Sequence, residues 1–220
     1  NGCHILVAAA RRLADADAAI AGEAQRFLIV VASTPLGLYL LFKQNNCFVV
    51  ALRELLKENE TVQFRCFEFI SKLSGMSAQY FDEFLKSGFI EKLLNELNSS
   101  DVLVKLNVLE VLTTMSIGGV HCLKHFHASG LLKKLYTLLD QSQSDPDATF
   151  LFPAVIKFFG HLAKVEPRSF NDEYPGFLKA VFHLVINYRL LEVSQRLLAF
   201  DSLGLIASTS DGKCILEKYG

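Results

Sequence analysis

One pattern of helices recurs along this chain of 220 residues at intervals of 41 to 47 residues, and it limits the fold more than any other feature. Within the pattern, apolar residues follow the i, i+3, i+4, i+7 spacing that places them on one helical face, as Phe64, Phe67 and Ile70 do. Alternating strand patterns with hairpin turns are absent from the sequence. The sequence therefore predicts an all-α protein built from repeats.

Three separate series of positions share this period. The first marks the opening of a helix after a small or polar break, and its members are Leu6, Phe48, Phe89, Leu131 and Phe177. The second marks the apolar end of a longer helix, followed each time by a small residue, and its members are Val31, Leu73, Met115, Leu162 and Ile206. The third is a short helix that ends near Gly or Asn, at 38–45, 80–88, 122–130 and 214–220. Because three series agree, we interpret the chain as a repeat protein.

A period of about 40 to 47 residues with three helices per unit is typical of armadillo and HEAT repeats. Each unit has a short first helix, a second helix such as GFIEKLLNEL (88–97) and a longer third helix such as TVQFRCFEFISKLS (61–74). One unit cannot bury its apolar face alone, so stacked units share an elongated core. We predict a right-handed armadillo/HEAT-like α-solenoid of about five three-helix repeats, forming a single domain over residues 1–220. Because 214–220 resembles a first helix without its second and third helices, we also expect the native chain to continue.

Composition fits this fold and disfavours several functions. Hydrophobic residues make up 51% of the chain, which a narrow core shared by stacked repeats explains. The 22 basic and 23 acidic residues give a net charge of −1, without the basic excess of a nucleic-acid-binding protein. The longest apolar run, at 27–32, is far shorter than the roughly 20 residues that a membrane helix needs. We therefore expect neither a nucleic acid nor a membrane as a partner.

The five cysteines are odd in number and far apart, and they lie in apolar stretches. Free cysteine behaves as a small buried hydrophobe, so we expect free thiols in a reducing compartment, the cytoplasm, with the nucleus as a second location. No CxxC pair supports a redox motif or a zinc ribbon.

Motifs for catalysis, cofactors or metals are absent from the sequence: we find no GxGxxG, GxxxxGK[ST], GxSxG or HExxH. His121 and His125 have the i, i+4 spacing of zinc ligands, with His127 close by. Cys122 stands where a zinc protease needs Glu, however, and a third ligand is not identifiable. We therefore interpret this segment as a histidine-rich short helix and expect no enzyme activity, no cofactor and no metal.

One polar insert, QSQSDPD (141–147), enlarges an interval of the repeat. Its Ser, Asp and Pro content predicts a loop between helices. A phosphorylation or binding loop is the alternative interpretation.

The third helix of each repeat lines the concave side of an armadillo solenoid, so equivalent exposed positions form a ladder there. The small residue that closes each third helix sets the register. Counting back from this small residue, the ladder takes the second and sixth places, and in two repeats also a place one helical turn before the sixth. Nine of these places hold the side chains that we predict to bind a partner: Arg65, Glu68, Lys72, Asn107, Glu110, Thr114, Lys157, His161 and Asp201. The remaining place holds Leu205. For any single member of this ladder, a merely solvated position is an equally good interpretation.

The places between the ladder residues are large and apolar, as a core requires: Ile70, Leu112, Phe159 and Leu203. Along the chain the ladder changes from acidic and mixed to basic and back to acidic. This makes the third helices the best candidate for an interaction surface.

Four stretches of the chain resemble one known family. They are SGFIEKLLNELNSSDVLVKLNVLEVLT (87–113), SDPDATFLFPAVIKFFGHLA (144–163), EYPGFLKAVFHLV (173–185) and DSLGLIASTSDGKCILEKYG (201–220). These stretches resemble the 26S proteasome non-ATPase regulatory subunit 5 family, and the resemblance extends from Thr34 to Gly220. The alanine-rich first 33 residues keep the repeat spacing but few residues typical of the family.

The resemblance implies a function that the periodicity does not show. Members of the family are armadillo/HEAT-like chaperones for assembly of the base of the proteasome regulatory particle. They bind the C-terminal domain of one AAA-ATPase subunit and hold it in an intermediate with a second ATPase and a large non-ATPase scaffold subunit. They leave before the 26S particle is complete, and they have no catalytic activity of their own.

Two other functions stay open. An armadillo-type scaffold or transport adaptor would bind extended peptides, usually through repeated Trp and Asn on the third helices. This chain has no Trp, which argues against an importin-like role. A helical enzyme or nucleotide exchange factor is the other alternative.

Overall fold

The structure is a computed structural model that describes residues 2–141, 146–165, 167–187, 189 and 193–219. Its packing groups the chain into two compact units, Asn1–Asn95 and Glu96–Gly220. All regular elements in the described residues are helical, which confirms the all-α prediction. The expectation that residues 1–220 form a single solenoid domain stays a prediction.

The first unit contains second and third helices of the predicted repeat, joined by short first helices. Its α-helices are α1 (Gly2–Arg11), α2 (Ala18–Ala32), α3 (Cys47–Leu55), α4 (Glu60–Met76), α5 (Ala78–Lys86) and α6 (Phe89–Asn95). A 3-10 turn, Arg12–Ala14, follows α1, and a π-helical turn, Tyr39–Lys43, takes the place of one first helix. The third helices are α2 and α4.

The second unit opens with a 3-10 turn, Glu96–Asn98, and continues the same order. Its described α-helices are α7 (Val102–Gly118), α8 (Val120–Ala128), α9 (Leu131–Gln141), α10 (Pro146–Val165), α11 (Pro167–Glu173), α12 (Pro175–Ile186), α13 (Val193–Ala207) and α14 (Ser210–Tyr219). The third helices are α7, α10 and α13. The first helix α11 was not predicted, because its sequence PRSFNDE carries a single buried apolar residue, Phe170.

The bend between first and second helices repeats in the backbone as well as in the sequence. Asn46, Gly88 and Gly130 have φ values of 51°, 77° and 74°. They are spaced 42 residues apart. Residues with positive φ are mostly Gly or Asn, because other side chains crowd the backbone there. This explains why each of these short helices ends near Gly or Asn.

Three of the third helices, α2, α4 and α7, begin at capping side chains that stand at equivalent repeat positions. Asp17 accepts a hydrogen bond from the Ala19 amide at 2.8 Å, and Asp101 accepts one from Leu103 at the same distance. Asn59 caps α4 through the amide of Val62. Each cap satisfies an amide at the helix start that has no partner within the helix. The caps therefore fix where α2, α4 and α7 begin.

Aromatic rings fill the core of the first unit. The ring centroids of Phe42 and Phe84 lie 4.9 Å apart in an edge-to-face arrangement, and Phe69 contacts both Phe84 and Phe48. All four side chains are buried. Their rings come from a first-helix turn, α3, α4 and α5, so the cluster ties the three helix types of the repeat together.

Phe159 is the centre of a second aromatic cluster, in the second unit. Its ring contacts those of Tyr136, Phe170, Tyr174 and Phe177, with centroid distances from 5.6 to 6.2 Å. These rings belong to α9, α11, α12 and the residue that precedes α12. Phe159 is fully buried, as the sequence predicted. It therefore links the third helix α10 to the helices on either side of it in the chain.

The helix α10 is longer and more apolar than the sequence analysis recognised. Residues Ala148–Val165 have a mean hydropathy of 1.3, enough in length and composition to cross a membrane. Half of this stretch is buried inside the protein, where α10 packs against α7, α9 and α13. Its apolar character is thus accounted for by a central place in the core.

The cysteines do not all behave as expected. Cys66 and Cys122 are buried free thiols, and burial raises the pKa of each to about 12. Cys214 is exposed, however, and the sulfur atoms of Cys3 and Cys47 lie side by side. The two residues are 44 positions apart, close to one repeat, which places them on the packed second helices α1 and α3.

The structure describes the two ends of the polar insert at 141–147. Gln141 ends α9 and Pro146 begins α10, while the residues between them lie outside the described part of the chain. The predicted loop is therefore wrong at both ends, which are helical. The rest of it, with the alternative phosphorylation or binding role, lies outside the described residues.

Truncating Phe159 should test the importance of its cluster. We expect Phe159→Ala to lower the free energy of unfolding by about 3–5 kcal/mol, because it removes a fully buried ring and leaves a cavity. Phe150→Ala is the matched control on the same helix, since Phe150 is half exposed. It should cost less than about 1 kcal/mol. Urea denaturation of both variants checks the difference, and equal losses would contradict it.

Candidate third-helix binding face

The third helices place all nine ladder residues at the surface. Residues between them point inward: Ile70, Leu112 and Phe159 are fully buried, while the ladder side chains are exposed or half-buried. This accessibility is a requirement for binding, but it does not test whether a partner binds. The ladder therefore stays a predicted binding site.

The helix α13 departs from the predicted register. Leu203 is half-buried, although the sequence pattern predicted a core position, and the neighbouring Ser202 is buried instead. The reason is the close approach of α10 at Gly160. A Cβ atom at Gly160 would lie 3.2 Å from the Ser202 hydroxyl and 3.5 Å from a Leu205 methyl carbon. A small side chain is therefore required at position 202, where α13 touches α10.

Arg65 has a structural contact that the sequence did not indicate. Its Nη1 donates hydrogen bonds to the carbonyl oxygens of Leu13 and Asp15, at 3.1 and 2.6 Å. These carbonyls lie at the end of the 3-10 turn and in the loop before α2. The guanidinium is half-buried and holds this loop against α4. Arg65 is thus less available to a partner than the other ladder residues.

Two ladder lysines reach back to the preceding third helix. Lys72 Nζ of α4 donates to Gln25 Oε1 of α2 at 2.7 Å. Lys157 Nζ of α10 donates to both carboxylate oxygens of Glu110 of α7, at 2.8 and 2.9 Å. Both pairs span 47 residues, about one repeat. Each pair forms a polar bridge over the junction of two successive third helices.

The bridge between Glu110 and Lys157 changes the charge pattern that the sequence suggested. Glu110 and Lys157 both lie at the surface, as predicted, but their opposite charges neutralise each other. Their side chains are 55% and 43% exposed, so solvent screens the attraction and the pair adds little stability. Thr114 is also engaged, since its hydroxyl donates to the Glu110 carbonyl oxygen.

Three ladder side chains keep their polar groups available. Among the residues that the structure describes, Glu68, Asn107 and Asp201 have no hydrogen-bond or ion-pair partner for the side chain. All three are exposed. They are therefore the ladder members best placed to pair with a partner.

His161 is biased towards its neutral form. Burial lowers the pKa of the imidazole, and the positive charges of Lys157 and Lys164 lower it further, while Glu110 acts in the opposite direction. An uncharged ring can both donate and accept a hydrogen bond. The histidine adds polarity to this face without adding positive charge.

A groove of about 510 Å³ brings three ladder residues together in the second unit. Lys157 and His161 line it from α10, and Asp201 lines it from α13. The sequence analysis placed Leu205 in the same register but did not select it, and it missed the other lining residues of α13, among them Leu198 and Phe200. Glu68 and Lys72, which belong to the first unit, have no part in this groove.

The ladder register also extends to α2, where the sequence analysis did not apply it. Six and two places before the closing Ala32 stand Arg26 and Val30. Arg26 pairs with Glu23 of its own helix, and Val30 is 65% exposed. Applying the same count to the first repeat would have found both residues.

The histidine-rich segment is a surface helix in the structure. His127 Nε2 lies 2.7 Å from a carboxylate oxygen of Glu173, and Cys122 is buried. In the described ranges of the chain, no three His, Cys, Asp or Glu side chains are grouped so that they could hold a metal ion. The part of the chain that the structure describes therefore adds no metal site to the predicted binding face.

Comparison with known proteins identifies the family. Residues 1–220 match the family described as Proteasome non-ATPase 26S subunit. The chain belongs to this family. This confirms the membership that the four sequence stretches suggested and connects the chain with the proteasome.

Individual relatives within the family have related sequences but are longer. The human 26S proteasome non-ATPase regulatory subunit 5 is 29% identical over 202 residues, which cover 91% of this chain and 39% of the human protein. The protein of the same name from Drosophila melanogaster is 27% identical over 170 residues, or 76% of this chain and 32% of the fly protein. The chain therefore spans less than half the length of these relatives.

Several solved structures with a similar fold are designed armadillo repeat proteins. One of them matches with a TM-score of 0.56 and 17% identity, covering 98% of this chain and 88% of the designed one. Another, solved in complex with the peptide (KR)4, has a TM-score of 0.56 and 18% identity over 97% of this chain and 87% of its own. At these identities the likeness shows the fold alone, and it confirms the armadillo-like α-solenoid class.

The bridge between Glu110 and Lys157 can be measured by a double-mutant cycle. We expect a coupling free energy of about 0–1 kcal/mol between Glu110→Gln and Lys157→Met, because both side chains are largely solvated. Denaturation of the two single variants and the double variant gives this value. A coupling above about 2 kcal/mol would contradict a solvent-screened bridge.

The depressed pKa of His161 predicts a pH effect on stability. Its folded pKa lies below the ordinary value of 6.5, so its contribution to stability is full above that pH and is lost as the pH falls towards the folded pKa. Between about pH 7.5 and about pH 5, the free energy of unfolding should therefore fall less in His161→Gln than in the unsubstituted chain. Urea denaturation at both pH values checks this, and identical losses would rule it out.

Proposed function

We propose that the chain is a chaperone for assembly of the 26S proteasome regulatory-particle base. In this proposal it binds the C-terminal domain of an AAA-ATPase subunit, within an intermediate that also holds a second ATPase and a large non-ATPase scaffold subunit. It is released before the mature 26S particle forms. Cytoplasm, with the nucleus as a second location, is the compartment in which this assembly would take place.

The observation that carries the proposal is family membership combined with an accessible face of third helices. The family connects the chain with the proteasome. The exposed side chains of Glu68, Asn107 and Asp201 offer polar groups that described residues leave unpartnered. Repeated, exposed positions on one helix layer are the usual binding surface of solenoid proteins. A protein domain is the kind of ligand that such a surface fits.

The proposed mechanism is steric and needs no catalysis. While the third-helix face holds an ATPase C-terminal domain, that domain cannot dock elsewhere. Premature contacts are thus blocked until the other subunits are in place. The sequence offers no catalytic motif, and the raised pKa of the buried Cys122 thiol keeps it protonated and unreactive. A non-catalytic scaffold therefore accounts for the site without an enzyme activity.

A second candidate is an armadillo-type scaffold or adaptor that binds extended peptides. The designed armadillo protein solved with the peptide (KR)4 favours it, because its fold is similar. The absence of Trp in this chain argues against it. Binding of an isolated basic peptide with the same affinity as an ATPase domain would favour the adaptor.

A pull-down of isolated base ATPase C-terminal domains, read by mass spectrometry, tests the proposal. We expect the chain to retain one such domain selectively, because the assembly role requires a single ATPase as the direct partner. Purified mature 26S particles are the control and should not retain the chain. Stable binding to complete, active 26S particles would refute an assembly chaperone.

Exchanging the bridge residues tests whether the third-helix face is the binding surface. The double variant Glu110→Lys, Lys157→Glu keeps an ion pair between α7 and α10 but reverses its direction. Its stability should therefore change little. The affinity for the ATPase domain should fall by about tenfold or more, because a domain docked over the α7–α10 junction would then meet a like charge at each end of the reversed bridge. Isothermal calorimetry gives the affinity and circular dichroism checks the fold. Unchanged binding by a folded variant would count against this face.

A further inference from the structure

The two junctions between third helices in the second unit are built differently. At the junction of α7 and α10, the Glu110–Lys157 bridge spans the two helices at the surface. At the junction of α10 and α13, the groove of about 510 Å³ lies open. Asp201 on α13 is the repeat equivalent of Lys157 on α10. It would have to pair with Lys157 to form a similar bridge, but Lys157 is already paired with Glu110. The second junction is thus left without a corresponding bridge.

The floor and walls of this groove are largely apolar. Leu198 and Leu205 are half-buried side chains of α13, and the buried Ser202 lies below them where α13 meets Gly160. Gly204 also lines the groove, and a Cβ atom there would meet nothing within 4 Å. An apolar side chain that entered from outside would therefore find both space and an apolar surface.

The charges at the groove favour a positively charged group of the partner next to that apolar side chain. Lys157 is neutralised by Glu110, and burial biases His161 towards its neutral form. Asp201 is exposed and has no side-chain partner among the described residues. Its carboxylate is therefore the unbalanced charge among the groove residues. A cation beside the groove would complement it.

We propose that the groove between α10 and α13 binds a partner segment in which an apolar side chain stands next to a Lys or Arg. The apolar side chain enters between Leu198 and Leu205, and the cation pairs with Asp201. This deepens the proposed function by naming the chemistry of the bound segment. It rests on that function only in taking the third-helix face as the binding face.

Short fluorescein-labelled peptides test the proposal directly on the full chain. Three peptides of Ser and Gly carry inserted Leu-Arg, Leu-Glu or Ser-Arg pairs. By fluorescence anisotropy, the Leu-Arg peptide should bind about tenfold more tightly than either of the others, because only it fills the groove and pairs with Asp201. Equal binding of the Leu-Arg and Ser-Arg peptides would overturn the apolar part. Equal binding of the Leu-Arg and Leu-Glu peptides would overturn the charged part.

Two substitutions with matched controls locate the binding. Gly204→Leu fills the groove, and we expect it to weaken binding of the Leu-Arg peptide by about tenfold or more. Gly22→Leu, on α2, is its control because a Cβ atom there also meets nothing within 4 Å. Asp201→Asn should abolish the preference for Arg over Glu, whereas Asp172→Asn, an exposed site on α11, should leave it intact. Unchanged binding in Gly204→Leu, or loss in its control, would overturn the location.

These experiments distinguish failure of the groove proposal from failure of the assembly-chaperone proposal. If the ATPase domain binds and Gly204→Leu binds it equally well, the groove proposal fails and the chaperone proposal stands. If the Leu-Arg peptide binds through Asp201 but no ATPase domain is retained, the groove proposal stands and the chaperone proposal fails. A concentration-dependent dimer in sedimentation analysis that Gly204→Leu abolishes would show that a second copy occupies the groove, and this would overturn the proposed partner.

Discussion

Contact between successive third helices is the interaction on which the rest of each unit depends. In the first unit α2 packs against α4, and in the second α10 packs against both α7 and α13. Gly160 and Ser202 show how close this contact is, since even one added carbon would crowd the hydroxyl. With their inner sides committed to each other, these helices must turn equivalent side chains outward. The exposed ladder is a geometric consequence of that packing.

Much of the fold could be predicted because the repeat leaves several kinds of trace in the sequence. The left-handed bends at Asn46, Gly88 and Gly130 require particular residues, and the helix ends require small ones. Positions such as Ile70 and Phe159 must be apolar to fill the core. Each of these constraints acts on one residue at a time, so a pattern of residue types is enough to reveal it.

Pairings between repeats could not be predicted in the same way. Whether Lys157 points to Glu110 or to solvent depends on side-chain conformations that spacing does not determine. The contacts of Arg65 with the loop before α2, and the position of Cys3 beside Cys47, depend likewise on how neighbouring helices pack. The half-buried position of Leu203 has the same origin, because the close approach of α10 sets the orientation of α13. Sequence reasoning therefore predicted which third-helix positions are exposed but could not tell which of these side chains were already engaged.

The bridge between Glu110 and Lys157 has a kinetic consequence for any partner that docks at the junction of α7 and α10. A face whose opposite charges are paired at 2.8 Å projects little electric field into solution. Long-range attraction can speed association by orders of magnitude, but it needs an unbalanced patch of charge. Encounter with this part of the surface should therefore proceed near the slow rate of neutral proteins, about 10⁵–10⁶ M⁻¹s⁻¹, and depend only weakly on ionic strength. Selectivity would then lie in how long a partner stays rather than in how fast it arrives.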